Sequence, residues 1–139
     1  AILFLVAIFL AFSTGTSWGT FAILVPIAIA MFPGTDKLEM MIISVSAVLA
    51  GAVCGDHVSP ISDTTVMSSA GAQSNHINHV TTQMQYAAVV AVVCFIGYII
   101  AGVSQSWWIA LGSSLVILLV VLTVMKRLFA SREKKRVAA

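Results

Sequence analysis

Charge is scarce in this sequence of 139 residues, and its scarcity excludes most classes of protein. Only 9% of the residues are charged, whereas 60% are hydrophobic and the mean hydropathy is +1.05. A soluble domain carries about 25% charged residues, so this chain lacks the material for a water-exposed surface. The hydrophobic content also excludes intrinsic disorder, and two cysteines are too few for a disulfide scaffold. The class that remains is an all-α integral membrane protein with several passages.

The basic residues are confined almost entirely to the end of the chain. Lys37 is one of seven, and the other six are Lys126, Arg127, Arg132, Lys134, Lys135 and Arg136. A basic segment after hydrophobic spans stays in the cytoplasm, which predicts a transmembrane domain over 1–125 and a basic cytoplasmic tail over 126–139 in the cell (inner) membrane. A basic face interleaved with aromatic residues would indicate nucleic-acid binding, and the sequence has none. The expected surroundings are therefore the lipid bilayer.

About four hydrophobic passages are predicted, and two of them are interrupted. Residues 83–102 and 107–125 are each long enough to cross about 30 Å of hydrocarbon as continuous helices. The other two passages carry Gly, Pro or hydroxyl residues around 13–20 and 55–65. These stretches predict discontinuous helices, because backbone without helical hydrogen bonds survives in a bilayer only against protein or a wet cavity. A re-entrant hairpin fits the same topology, and an ordinary loop is the alternative.

Two carboxylates stand out because the sequence offers them no basic partner. Asp56 and Asp63 are the only formal charges between the start of the second interrupted passage and the tail. Each carboxylate costs about 2.5–3.5 kcal/mol at the centre of a membrane helix. This cost predicts that a cation, a proton or a residue outside this chain neutralises them. Asp36, with Glu39 three residues later, is predicted to form a helix capping pair instead.

The second interrupted stretch contains the ligands that a small hard cation prefers. Carboxylate oxygens stand among hydroxyls and freed backbone carbonyls, a set typical of cation sites at helix breaks in secondary transporters. A carboxyl group removed from water holds its proton to higher pH, so one carboxylate can carry Na+ or H+ in turn. His57, beside Asp56, is either a proton relay or a polar vestibule residue. His76-x-x-His79 is interpreted as loop polarity and not as a metal site.

Two motifs resemble those of the NhaC-type Na+/H+ antiporter family: Gly55–Thr65 (GDHVSPISDTT) and, upstream of it, Thr14–Thr20 (TGTSWGT). In that family the two motifs stand in this order, at about this separation, in the C-terminal half of the transporter. The resemblance implies one half of an inverted-repeat secondary transporter. It implies exchange of Na+ for H+, or of an organic acid or amino acid coupled to either ion. It also implies ion binding by eight residues: Asp56, Asp63, Ser59, Ser62, Thr64, Thr16, Ser17 and Thr20.

The resemblance carries further expectations about partners. Family members are much longer, so we expect an N-terminal half with a related motif outside this chain, and a homodimer is one arrangement consistent with the family. No cofactor is expected, since Na+ and H+ are cargo. A cation channel subunit, which uses the same oxygen ligands, is the alternative. The signature of an intramembrane aspartyl protease needs Gly at position 53, where the sequence has Val53, so no enzyme activity is predicted.

Overall fold

Six helices account for the regular structure of the described residues in a computed structural model. The structure describes residues 1–34 and 37–137, and for 128–137 it describes the backbone alone. In chain order the helices are α1 (Ile2–Thr14), α2 (Ser17–Ala30), α3 (Leu38–Val58), α4 (Asp63–Gly71), α5 (His76–Ser104) and α6 (Trp107–Val137). Three segments are long and apolar enough to cross a membrane, namely α3, α5 and Trp107–Arg127 of α6, whereas α1 and α2 are apolar but shorter. This architecture agrees with the predicted all-α membrane class.

Glycines bring the backbones of α1 and α3 into close contact. Gly51 and Gly55 lie about one turn apart on α3, and a Cβ on either would collide with a carbonyl oxygen of α1, that of Phe4 or Ile8 respectively. From the pair Gly51–Phe4 to the pair Gly55–Ile8, the residue numbers rise on both helices. α1 and α3 therefore run parallel. Buried alanines complete the contact: Ala7, Ala11, Ala47 and Ala52. Small residues four apart let backbones approach closely, and van der Waals packing of this kind drives helix association in lipid.

The chain reverses direction between α1 and α2, so that both helices flank α3. α1 ends at Gly15 in the left-handed conformation (φ +67°), which glycine adopts without steric cost. Leu24 and Ala28 of α2 then join the core cluster that contains Val48 of α3. Because Val48 lies near the middle of α3, a helix that continued in the direction of α1 would pass beyond the end of α3 without meeting it. The stretch predicted as a break is therefore the tip of a helical hairpin.

The second predicted interruption is shorter in the structure than in the sequence prediction. α3 includes residues 55–58, so only Ser59–Ser62 separates it from α4. The Ser59 N–H donates to the carbonyl of Asp56 at 3.1 Å and tightens the end of the helix. Pro60 follows without an N–H of its own, which ends the helical hydrogen bonding.

α5 begins earlier than the sequence predicts. It starts at His76 instead of near residue 83, so the interpretation of His76 and His79 as loop residues is wrong. The Asn75 side chain caps the helix by accepting a backbone N–H at 3.1 Å. Two threonine hydroxyls in the first turns donate to carbonyls four residues earlier. These local bonds satisfy the polar residues and let the helix begin seven residues before the hydrophobic run.

Contacts near both ends of α5 show that it runs antiparallel to α3. The ring of His76 lies 2.7 Å from the carbonyl oxygen of Pro60, through Nε2. Further along, the Tyr98 hydroxyl donates to the carbonyl of Ser46 at 3.1 Å. Residue numbers rise along α5 as they fall along the facing segment, so α5 begins at the end of α3 that carries the interruption.

Two sequence predictions fall partly outside the described residues. The first is the expected capping pair, because Asp36 lies outside the described residues. α3 begins at Leu38 with Lys37 at the N-cap position. The expected basic tail is the other, since 138–139 lie outside the described range. The backbone of α6 continues as helix to Val137, through most of the tail.

Candidate functional site

Asp56 is a buried carboxylate at the end of α3. It is 9% exposed, and its Oδ1 accepts a hydrogen bond from Ser62 Oγ at 2.7 Å. Ser62 is completely buried, and its Oγ lies 2.8 Å from Thr64 Oγ1. A hydroxyl has one proton, and since Ser62 gives its proton to Asp56, Thr64 donates to Ser62. The three side chains form a hydrogen-bonded chain across the interruption that ends on a carboxylate.

Among the side chains that the structure describes, no basic group forms an ion pair with Asp56. Between Lys37 and Lys126 the chain contains neither Lys nor Arg. Among the described side chains, Ser62 is the hydrogen-bond partner of this carboxylate. A neutral hydroxyl compensates only part of the cost of burying a charge. The described contacts therefore compensate the burial of this carboxylate only in part.

The two helix ends that meet at the interruption carry opposite partial charges. α3 ends there with carbonyl groups, the negative end of its dipole, and α4 begins there with N–H groups, the positive end. The start of α4 stabilises the carboxylate of Asp63, which is its first residue and is exposed. Asp56 also lies beside the start of α4, since its partner Ser62 is the N-cap residue of that helix. The two acids therefore differ in burial: Asp56 is buried and Asp63 is exposed.

Ser59 connects the interruption to the end of α1. Its Oγ donates to the carbonyl of Phe12 at 2.8 Å, and Ser59 is completely buried. This carbonyl is one of those that the last turn of a helix leaves without an internal donor. Beside it, a Cβ on Gly15 would lie 2.9 Å from the carbonyl oxygen of Ile61. The tip of the α1–α2 hairpin thus touches the segment between α3 and α4 directly.

Of the three polar residues predicted on the hairpin, two have described side-chain hydrogen bonds, and both bonds lie at the start of α2. Thr16 caps the helix, with Oγ1 accepting from the Gly19 N–H at 3.3 Å. Thr20 is 1% exposed, and its Oγ1 donates to the carbonyl of Thr16 at 2.9 Å. Ser17 is half-buried at the first position of α2. A hydroxyl that donates to its own helix keeps lone pairs for another group, so ion binding by these residues stays a prediction.

His57 lies on a different face of α3 from its neighbour Asp56. Consecutive residues of an α-helix point about 100° apart, and His57 is exposed. It lines a cavity of about 460 Å³ between α3 and α5, together with Gln83 and Tyr86. Within the described side chains, no hydrogen bond joins the His57 ring to Asp56. A proton relay between these two groups stays a prediction.

Two residues that the sequence analysis did not assign to the site also support the interruption. Thr65 is 2% exposed and donates through Oγ1 to the carbonyl of His57 at 3.1 Å. His76 contacts two segments, with Nε2 2.7 Å from the Pro60 oxygen and Nδ1 2.9 Å from Ser69 Oγ. An asparagine before a helical segment signals a helix start. Asn75 as the cap would have placed His76 in the first turn of α5.

These features define a class of protein. The helices that are long and apolar enough to cross a membrane include α3, which carries a buried carboxylate whose described partner is a hydroxyl. An ionisable group in such a setting marks an ion or proton pathway by default. The fold and the site therefore indicate a membrane transport protein.

Comparison with known proteins gives the family. The profile described as "Na+/H+ antiporter family" matches residues 1–103, a range that includes every residue of the candidate site. This chain belongs to the Na+/H+ antiporter family. It is 52% identical over 126 residues to a protein of Haemophilus influenzae (strain Rd) that is described as uncharacterized, covering 91% of this chain and 24% of that protein. The chain thus spans about a quarter of the length of this relative. No solved structure matches the chain.

Proposed function

We propose that this chain forms part of a secondary active transporter that exchanges Na+ for H+, with Asp56 carrying the two ions in turn. The observation that supports this most strongly is the burial of the Asp56 carboxylate, which is 9% exposed and has a hydroxyl as its described partner. Family membership agrees with exchange of these two ions. Since the chain spans 24% of its relative, exchange is a property proposed for the whole transporter, to which this chain contributes the carboxylate.

The hydrogen-bonded chain at Asp56 suits both occupants. With Na+ bound, Ser62 holds Oδ1 through its proton, while the second carboxylate oxygen and the oxygen of Thr64 are ligands for the ion. Carbonyl groups at the end of α3 add partial negative charge. With H+ bound, the carboxylic acid is neutral, and the Ser62 hydroxyl either donates to it or accepts from it. One negative charge is neutralised by one occupant at a time, which couples the two fluxes.

The other predicted site residues have supporting roles in this proposal. Asp63 attracts cations to the interruption from its exposed position at the start of α4. Ser59 keeps the interruption against α1 through the carbonyl of Phe12. The hydroxyls of Thr16, Ser17 and Thr20 approach the ion from the side of the hairpin. The contact of Gly15 with the interruption supports this role. His57 is the proposed proton relay toward the cavity that it lines.

Helix lengths support a position of Asp56 within the membrane. α2 has 14 residues and a length of about 21 Å, which is less than the about 30 Å of bilayer hydrocarbon. We infer that the α1–α2 hairpin is a re-entrant element whose tip lies inside the bilayer. Asp56 lies sixteen residues after Met40, the first apolar residue beyond Glu39, or about 24 Å along an upright α3. That distance supports a position inside the hydrocarbon, beyond its middle.

The remaining features of the transporter are proposed on family and charge grounds. We place it in the cell membrane with the C-terminus of this chain in the cytoplasm, because six of seven basic residues lie in the last fourteen. The chain is proposed as one half of an inverted repeat, completed by a related N-terminal half, and the transporter as a homodimer in the lipid bilayer. The mechanism needs no cofactor and no enzymatic step.

The decisive experiment compares Asp56→Asn with Asp63→Asn in the full-length protein reconstituted into liposomes. A Na+ gradient is imposed, and the internal pH is followed with a pH-sensitive dye. We expect Asp56→Asn to abolish the Na+-driven pH change, because the amide removes the charge that both ions neutralise. Asp63→Asn should keep exchange with a weaker apparent affinity for Na+. Glu39→Gln is the matched control, since Glu39 is an exposed acid near the other end of α3, and it should exchange normally.

Undiminished exchange by Asp56→Asn contradicts the proposal. A Na+ flux that is not coupled to H+ in the unaltered protein would indicate a channel instead. A requirement for an added organic acid or amino acid would assign the protein to the organic-substrate exchangers.

A further inference from the structure

The ring of His76 is bound on both sides at the interruption. Its Nε2 lies 2.7 Å from the carbonyl oxygen of Pro60, and its Nδ1 lies 2.9 Å from the hydroxyl of Ser69 on α4. A carbonyl can only accept, so the ring carries a proton on Nε2. The Ser69 hydroxyl also lies 2.9 Å from the carbonyl oxygen of Val66, to which it donates its one proton. Through its two nitrogens the ring ties the start of α5 to the interruption and to α4.

The carbonyl that His76 holds lies between two functional hydroxyls. Pro60 stands one residue after Ser59, which binds the end of α1, and two residues before Ser62, which binds Asp56. The Ile61 N–H lies 3.4 Å from Ser59 Oγ. Fixing the Pro60 carbonyl fixes the plane of the Pro60–Ile61 peptide, because a peptide unit is rigid. The direction in which the chain reaches Ser62 is then determined from outside the site.

We propose that His76 is a positioning residue of the cation site. Its Nε2–H holds the Pro60 carbonyl and thereby keeps Ser62 Oγ on the carboxylate of Asp56. The inference rests on the proposed function of Asp56. His76 contacts neither the carboxylate nor its hydroxyl partner in the described hydrogen bonds, so its loss should weaken Na+ binding and leave the maximal exchange rate nearly unchanged.

Two amide substitutions separate the two contacts of the ring. The amide nitrogen of a glutamine reaches about as far as Nε2, so His76→Gln keeps a donor for the Pro60 carbonyl. An asparagine ends near the position of Nδ1, so His76→Asn keeps only the contact with Ser69. The matched control is His79→Gln on the same helix, where Nε2 lies 3.2 Å from the exposed Ser68 hydroxyl and has no described contact with the interruption.

The experiment measures Na+-dependent exchange by the full-length protein in liposomes over a series of Na+ concentrations. We expect His76→Asn to raise the apparent KM for Na+ by about three- to tenfold, the size of one net hydrogen bond, with the maximal rate within about twofold. His76→Gln and His79→Gln should keep the KM of the unaltered protein. A purely structural role would instead lower the amount of active protein and hence the maximal rate, without this difference between Gln and Asn.

A second measurement does not depend on the folding of any variant. In the unaltered protein with 15N-labelled histidine, NMR should show a proton on Nε2 of His76, and a proton on Nδ1 alone would overturn the inference. An unchanged KM in His76→Asn, or an equal rise in His76→Gln, would also overturn it while leaving the proposed exchange intact. Absence of exchange in the unaltered protein would overturn the proposed function, and with it this inference.

Discussion

Replacement of Gly55 by alanine tests whether the close approach of α1 and α3 builds the site. A Cβ at this position would collide with the carbonyl oxygen of Ile8 and lie 3.0 Å from its carbonyl carbon and its Cα. These atoms belong to the backbone, so no side chain can rotate out of the way. α1 and α3 must therefore separate, and they must do so one turn from the bond between Ser59 and the Phe12 carbonyl, which is 2.8 Å long.

The expected cost follows from three contributions. Overpacking a close contact costs about 1–3 kcal/mol, and weakening the Ser59 hydrogen bond costs about 0.5–1.5 kcal/mol. Alanine favours a helix over glycine by about 1 kcal/mol, which offsets part of the loss. We expect Gly55→Ala to lower the free energy of unfolding by about 1–3 kcal/mol. Exchange should fall as well, because Asp56 is the next residue.

The assay is equilibrium unfolding of the full-length protein in mixed micelles, with Gly112→Ala as the matched control. Gly112 lies inside α6, and no atom lies within 4 Å of a Cβ built on it. This control should be neutral or stabilised by up to about 1 kcal/mol, as helix propensity alone requires. Equal stability of the two variants would refute the reasoning, because it would mean that the glycine contact contributes nothing.

Two further substitutions probe single hydrogen bonds in the same unfolding assay. Ser59→Ala leaves the Phe12 carbonyl without its donor beside a buried position, so the free energy of unfolding should fall by about 1–3 kcal/mol; an unchanged value would mean that the bond is not formed. Tyr98→Phe removes a hydroxyl that lies 3.0 Å from Ser46 Oγ and 3.1 Å from its carbonyl oxygen, and it should cost about 0.5–1.5 kcal/mol with exchange intact. Tyr86→Phe is its control, since Tyr86 is exposed and should show no change; equal losses in both tyrosine variants would contradict the assignment.

The start of α5 shows where reasoning from hydropathy reaches its limit. The hydrophobic run predicts a helix from residue 83, and the structure begins it at His76. The additional turns are polar, and they are helical because the Asn75 cap and the threonine hydroxyls satisfy local backbone groups. A scale that measures only transfer into lipid does not detect such bonds.

The sequence alone also did not decide whether the chain reverses direction after α1. A stretch of glycine and hydroxyl residues allows the chain either to continue or to turn back, and Gly15 permits the left-handed conformation that a reversal uses. The choice comes from packing. Glycines and alanines on α1 and α3 let the two backbones meet, and Leu24 and Ala28 of α2 then find their partners along α3.

By itself, the amino-acid sequence determined that this protein belongs in a membrane, which segments are hydrophobic and which acids lack a partner, because composition and run length govern transfer from water to lipid. Only the tertiary structure decided which aspartate is the unusual one. Asp56 and Asp63 are chemically identical, yet one is buried at the carbonyl end of α3 and the other is exposed at the amide end of α4. Burial and the direction of a helix dipole are properties of packed elements, so they arise only when distant segments come together.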